Sequence, residues 1–377
     1  MPDTAVNMRV NELIRQQVAD GRQIGVQVCA YQGDHMVVDT RAGAMGPGDP
    51  RPVRPDSLFL SFSSTKGVAA TAIHMLVDRG ALNLDAPVAR YWPAFAAHGK
   101  DAITVAQAIS HQGGLHRMPS PFRPEHITDW DAGIHRMEEG TPAYPPGSAT
   151  GYHAVTWGWI AGGIVHGVTG RHIKDFIAEE IAAPLGVAGE MFVGIPTGID
   201  ARLTTLEIHG PGEGLEIPRD SELLQAMPPE MWPHFNEMPF RAACLPSGNG
   251  HFTARALARM YAALANGGVI DSVRLVAPER ISDMQALQTD KVDVVLGVPL
   301  RKSAGFFLGN ETDGIHGPMG ARRTAFGHPG AGGSVGFCDP EVGLAVGVTL
   351  NKMAGVGPGQ SVTLEICDLI REELACP

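Results

Sequence analysis

The chain has 377 residues, 44% of them apolar and 18% charged, with a formal net charge of −11. That length suits one large α/β body or two closely joined lobes, and so apolar a composition predicts little disorder. The acidic balance lacks the basic stripe that a phosphate backbone requires, which excludes nucleic acid as a partner, and no apolar run reaches the roughly 20 residues of a membrane span.

The amino-terminal stretch "MPDTAVNMRVNELIRQQVADG" carries no basic-then-apolar leader and reads as an amphipathic helix. Two β-type runs follow, "IGVQVCAYQ" and "HMVVDTRAG", separated by Gly33 and Asp34 as in a hairpin. Ser64 to Arg79 is helical by its apolar spacing, with serine or threonine to cap it and Gly80 to stop it. From about Asp85 to about Pro246, short helical segments such as "ITVAQAISH", "HAVTWGWIAGGIVHGVTG" and "IKDFIAEEIAAPLG" alternate with Pro-rich and Gly-rich loops. Within that region "LLQAMPPEMWPHFNEMPFRAA", residues 223–243, is too broken for a helix and too apolar for an idle loop. It suits either the wall of an acyl or alcohol pocket or plain packing of a helical lobe on a sheet.

A further helix, "TARALARMYAALANGG", precedes two or three strands in "AFGHPGAGGSVGFCDPEVGLAVGVTLN", where "DPEVG" is the hairpin turn. A last helix is predicted from about Gln360 to Leu374. The predicted fold class is α/β, of the α+β sandwich type: an antiparallel sheet flanked by helices and built from both chain ends. Residues 1–84 and 247–377 form the α/β body, and residues 85–246 a mostly helical lobe with long loops.

Cys29, Cys244, Cys338, Cys367 and Cys376 are scattered and lack C-x-x-C spacing, which predicts neither a disulfide framework nor a thiolate zinc site and fits a reducing cytoplasm. The fifteen histidines contain no H-E-x-x-H, so no metal is expected.

Ser63 and Lys66 form the single S-x-x-K of the chain, three apart at the start of a helix and so on one face of it. A lysine there can manage the proton of a serine nucleophile. No aspartate, glutamate, lysine or arginine falls between Lys66 and Asp78, so this helix is predicted to be buried all round with its lysine at a lobe junction. Desolvation lowers a buried lysine from its usual value of about 10.4 toward neutrality. Two stretches mimic other sites. "GGSVG" matches G-x-S-x-G and nominates Ser334, but the residues after it read as a hairpin and not as the helix an elbow requires. "GAGGSVG" mimics a dinucleotide loop, again without a following helix.

The chain resembles the serine β-lactamase and penicillin-binding-protein family in its class C-like branch, and most closely the family VIII carboxylesterases. The likeness rests on "SSTK" with the helix after it, "ISHQGGL" at 109–115, "YPPGSATGYHAVTWGWIAGGI", "LPSGNGHFTARALARMYAALANGG" and "GHPGAGG", in that order over nearly the whole chain. The resemblance implies Ser63 as the acylated nucleophile, Lys66 as its base or electrostatic partner, and Tyr152 as the carrier of a proton to the departing alkoxide. It implies an oxyanion hole from the backbone N–H groups of Ser63 and Ala331, substrate contacts at His328 and Gly330, and no cofactor. His111 is expected to brace a loop by hydrogen bonding.

Two departures from the family pattern bear on substrate. The second motif, usually Tyr-x-Asn, reads Tyr152-His153-Ala154, and the third, usually Lys-Thr-Gly, reads His328-Pro329-Gly330. A histidine near its ordinary pKa is mostly neutral at pH 7, so both changes point from anionic β-lactams toward neutral esters. The expected activity is hydrolysis of a small-molecule carboxylic ester. An acyltransferase, a β-lactamase or D,D-peptidase, and a catalytically silent scaffold remain as alternatives, and a homo-oligomer stays open.

Overall fold

Strand β1 (Gly25–Gln32) is buried along nearly its whole length, as a central strand covered on both faces must be. In the computed structural model, which describes residues 2, 4–208, 217–218, 220–312, 314–353 and 361–376, it pairs antiparallel with β2 (His35–Gly46) across the Gly33–Asp34 turn. Its other edge pairs with Leu344–Leu350 from the far end of the chain, so Val28 lies opposite both Thr40 and Val348. The complete sheet has seven strands in the order β3 (Asp49–Pro52), β2, β1, Leu344–Leu350, Val335–Asp339, Phe326–Pro329 and Phe307–Leu308. Every pairing in it is antiparallel, and the two chain ends supply all its strands.

Helix α1 (Ala5–Ala19) and helix Val362–Glu373 cover one face, burying Val10, Ile14 and Ile366 against Val26, Val28, Val346 and Val348. Gln360, where the sequence pattern starts the last helix, lies outside the described residues. Helix Ala254–Ala265 covers the opposite face so closely that a Cβ on Gly347 would stand 2.3 Å from the Ala254 carbonyl oxygen. Only glycine permits that approach.

Helix α2 (Ser64–Asp78) runs beside this layer with Ser64 to Leu76 all buried, as its uncharged run predicts. It lies against helix Trp157–Thr169 on one side and strand Phe326–Pro329 on the other. Residues 223–243, expected to be too broken for a helix, fall into short helical turns: Glu222–Ala226, a 3-10 stretch Pro229–Asn236, and Met238–Ala242. The last two carry proline at their start, where its missing N–H costs no hydrogen bond. All five cysteines are unpaired. Among the described residues, no helix is long and apolar enough to cross a membrane.

Candidate active site

The short strand β4 (Phe59–Leu60) pairs with Gly250–Phe252 and carries the chain into a tight turn. Ser61 N donates to the Gly250 carbonyl at 2.8 Å, and Phe62 takes a left-handed φ of 43°. That conformation costs a residue with a Cβ about 1–2 kcal/mol. The Phe62 ring offsets the strain by packing edge-on against Phe235 at 5.0 Å and tilted against Trp232 at 5.7 Å. Such ring pairs contribute about 0.5–1.5 kcal/mol each beyond the area they bury. Both partners come from the 223–243 segment, which therefore braces the turn before Ser63.

Ser63 occupies the N-cap position of α2, yet its side chain makes no capping hydrogen bond. Its hydroxyl faces Lys66 instead, with Lys66 Nζ at 3.1 Å from Ser63 Oγ. Lys66 is fully buried, and its Nζ donates to the main-chain carbonyls of Ala154 and Ser247, both at 2.8 Å. Two carbonyls can only accept, so they fix two protons of the nitrogen and turn its third position toward the hydroxyl. Burial pushes the amine well below its usual value. In a neutral amine that third position is a lone pair, able to receive the Ser63 proton.

The Tyr152 ring centroid lies 4.8 Å from Lys66 Nζ, and the residue is buried. Desolvation pushes its phenol well above the ordinary value. The nearby Ser63 side chain pulls the other way, and the Asp293 carboxylate adds to the rise. The phenol thus holds its proton, available to a group that needs one. Ser63, Lys66 and Tyr152, drawn from three separate stretches of sequence, meet at one place.

The end of strand Phe326–Pro329 closes on the same turn. A Cβ on Gly330 would stand 2.4 Å from the Ser61 carbonyl oxygen and 2.2 Å from Ser334 Oγ, so this approach requires glycine. Ser334 is buried, donates to the Ser61 carbonyl at 2.7 Å, and leads into strand Val335–Asp339 rather than a helix. It ties the sheet to the nucleophile turn and sits on no elbow. Among the described residues, neither Ser63 N–H nor Ala331 N–H donates a hydrogen bond, and both residues are partly exposed.

His328 is 1% exposed. Its Nδ1 lies 2.7 Å from the Pro329 carbonyl, and its ring packs 4.4 Å from Phe307 and 6.0 Å from Tyr152. Burial holds the imidazole well below its ordinary pKa, and Lys66 adds to that depression whenever it carries its proton, so the ring is neutral near pH 7. The side chain is buried against the Phe307 and Tyr152 rings. His111 Nδ1 accepts the His153 N–H at 3.0 Å, bracing the loop that carries Tyr152. Among the described residues, no group of three or more His, Cys, Asp or Glu side chains is placed to hold a metal ion.

Three contributors escape a reading of the sequence. Ser247 acts through a main-chain carbonyl and so has no side-chain signature, although the small polar residues of "LPSGNG" mark a tight turn there. Asp293 and Lys302 form a wholly buried ion pair, and Asp293 Oδ1 accepts the Tyr152 N–H at 3.0 Å.

This layered sheet, with its two helical faces and its adjoining helical insert, is a β-lactamase-like fold. Residues 10–366 match the family Beta-lactamase, and the chain belongs to that family. It is 36% identical over 358 residues to the esterase/beta-lactamase LipL of Mycobacterium tuberculosis, covering 88% of this chain and 78% of that protein. Among solved structures it is similar to a family VIII carboxylesterase, with a TM-score of 0.88, 33% identity, and 98% and 99% of the two chains covered. A penicillin-binding protein homologue from Caulobacter crescentus superimposes with a TM-score of 0.89 at 35% identity, over 99% of this chain and 98% of the other.

Proposed function

We propose that the protein hydrolyses small neutral carboxylic esters through an acyl-enzyme on Ser63, at the seam between the body (1–84 and 247–377) and the helical lobe (85–246). One observation carries this reading: the buried Lys66 amine stands 3.1 Å from the Ser63 hydroxyl with its other contacts made to main-chain carbonyls. Ser63 Oγ attacks the ester carbonyl carbon as its proton passes to the Lys66 and Tyr152 pair. The resulting oxyanion lies between the N–H groups of Ser63 and Ala331, each donor contributing about 3–4 kcal/mol to the transition state. The intermediate collapses, the C–O bond to the alcohol breaks, and the alkoxide takes a proton from the Tyr152 phenol. Water then repeats the attack on the acyl-enzyme and releases the acid.

The preference for neutral esters follows from charge. His328 is uncharged, Ala154 offers no side-chain amide, and the nearby Lys302 ammonium is already paired with Asp293. None of these three positions offers a free cation or a side-chain amide to the carboxylate of a β-lactam. The esterase named among the relatives and the carboxylesterase among the similar structures support a hydrolase. The test compares p-nitrophenyl acetate, p-nitrophenyl butyrate and nitrocefin with wild type and Ser63→Ala. Ester turnover should vanish in Ser63→Ala, and nitrocefin should be a poor substrate. Turnover surviving in Ser63→Ala removes Ser63 as the nucleophile, and rapid nitrocefin hydrolysis by wild type favours the β-lactamase reading.

A further inference from the structure

The loop that delivers Tyr152 is held by a hairpin from the other end of the chain. Thr289 pairs with Lys302 at the hairpin's base, and Asp293 N donates to the Val298 carbonyl at 2.9 Å near its head. Asp293 and Lys302 face each other inside it, both side chains wholly buried. Asp293 Oδ1 accepts three backbone N–H groups, from Tyr152 at 3.0 Å, Val295 at 2.9 Å and Leu296 at 3.0 Å, while Oδ2 takes the Lys302 ammonium. Lys302 Nζ also donates to Thr150 Oγ1 at 2.8 Å, and Val294 N donates to the Thr150 carbonyl at 2.9 Å.

A buried ion pair is weak evidence for stability, since well-packed apolar residues often replace one without loss. Its value here is geometric. The carboxylate is saturated, and one of its hydrogen bonds ends on the main chain of the residue whose phenol meets Ser63 and Lys66. The ammonium is equally committed, with Asp293 and Thr150 as partners and the Phe307 ring centroid 6.0 Å away. It is therefore no counter-charge for a substrate carboxylate. We propose that Asp293 and Lys302 are a positioning pair for the reaction: Asp293 fixes the Tyr152 main chain, and Lys302 fixes both Asp293 and the Thr150 side of the same loop. The inference rests on the serine–lysine–tyrosine reading above.

Two double variants remove both charges together, so that neither leaves a lone buried ion. Asp293→Asn/Lys302→Met keeps an oxygen to accept the Tyr152 N–H, and Asp293→Ala/Lys302→Met removes it. With p-nitrophenyl butyrate, the Ala variant should lower kcat by about 30- to 100-fold with KM within about threefold of wild type, because a displacement near 1 Å costs on the order of a hundredfold. The Asn variant should regain about tenfold or more of that loss. Equal kcat in the two variants, per molecule shown to be folded by circular dichroism, overturns the proposal, since a merely structural pair would not distinguish them. If the Ala variant does not fold, Thr150→Val breaks the Lys302 contact without touching a charge. It should lower kcat by about three- to tenfold at constant KM, and an unchanged kcat overturns the proposal. Tyr152→Phe, measured alongside, separates the two levels. Wild-type kcat in that variant sinks the tyrosine assignment and the positioning pair together, whereas an inactive Tyr152→Phe beside indifferent pair variants sinks the pair alone.

Discussion

Lys66 Nζ stands 3.1 Å from Ser63 Oγ inside a fully buried stretch of helix, and its other two contacts are carbonyl oxygens. If that nitrogen acts by taking a proton, arginine cannot replace it, because a guanidinium stays charged in proteins. Lys66→Arg and Lys66→Ala should therefore lose kcat alike, on the order of 10²–10⁴-fold for p-nitrophenyl butyrate. An arginine variant within tenfold of wild type would mean that Ser63 needs a positive charge beside it and not a base.

The same burial sets a stability trend of definite sign. The folded chain holds the Lys66 pKa well below 10.5, and unfolding returns it to about 10.4. Between those two values the unfolded chain binds the extra proton, so stability rises with pH. The contribution is fully present above about pH 10.4, is lost as pH falls toward the folded value, and is level below it. Lys66→Met carries no such dependence. Urea unfolding at pH 7, 8 and 9 should show wild type gaining on Lys66→Met by up to about 1.4 kcal/mol per pH unit. A difference that ignores pH over this range would mean that the folded amine is charged.

Phe62 pairs a strained backbone with a ring clamped by Trp232 and Phe235. Phe62→Gly relieves about 1–2 kcal/mol of strain. It also removes a buried aromatic side chain, a loss of about 3–5 kcal/mol on the scale of Phe→Ala changes. The second effect wins, and urea unfolding should show a net destabilisation of about 1–4 kcal/mol. Glycine also frees the turn that presents Ser63, so kcat should fall with it. A Phe62→Gly chain as stable as wild type would show that the ring contacts do not offset the left-handed turn.

The parts of the fold that reach the sequence are those with a local period or an unusual residue. β1 and β2 follow from two β-type runs on either side of Gly33 and Asp34, and α2 from an uncharged run with Lys66 at its mouth. Tyr152 and Gly330 follow from motif order. Asp293 and Lys302 leave no such mark, because two partners nine residues apart in a hairpin have no helical or strand spacing to reveal the pair. The burial of His328 depends on Phe307 in the neighbouring strand, a contact made across 21 positions of chain. The 223–243 segment shows its apolar character in the sequence, but its brace on Phe62 exists only once the chain is folded.

His328 stands where a lysine is usual in the family motif this chain resembles, and His328→Lys tests whether restoring the cation restores carboxylate binding. The position is 1% exposed, and Lys66 is close enough to depress the ionisation of the imidazole. A third amine would join Lys66 and Lys302 in a region whose carboxylate, Asp293, is already paired. A buried unpaired charge costs several kcal/mol, so the new lysine should lower Tm and ester kcat together without raising nitrocefin turnover. A folded His328→Lys chain that hydrolyses nitrocefin ten or more times faster than wild type would show that this strand can turn a cation toward the cleft, and that its neutrality alone set the preference for esters.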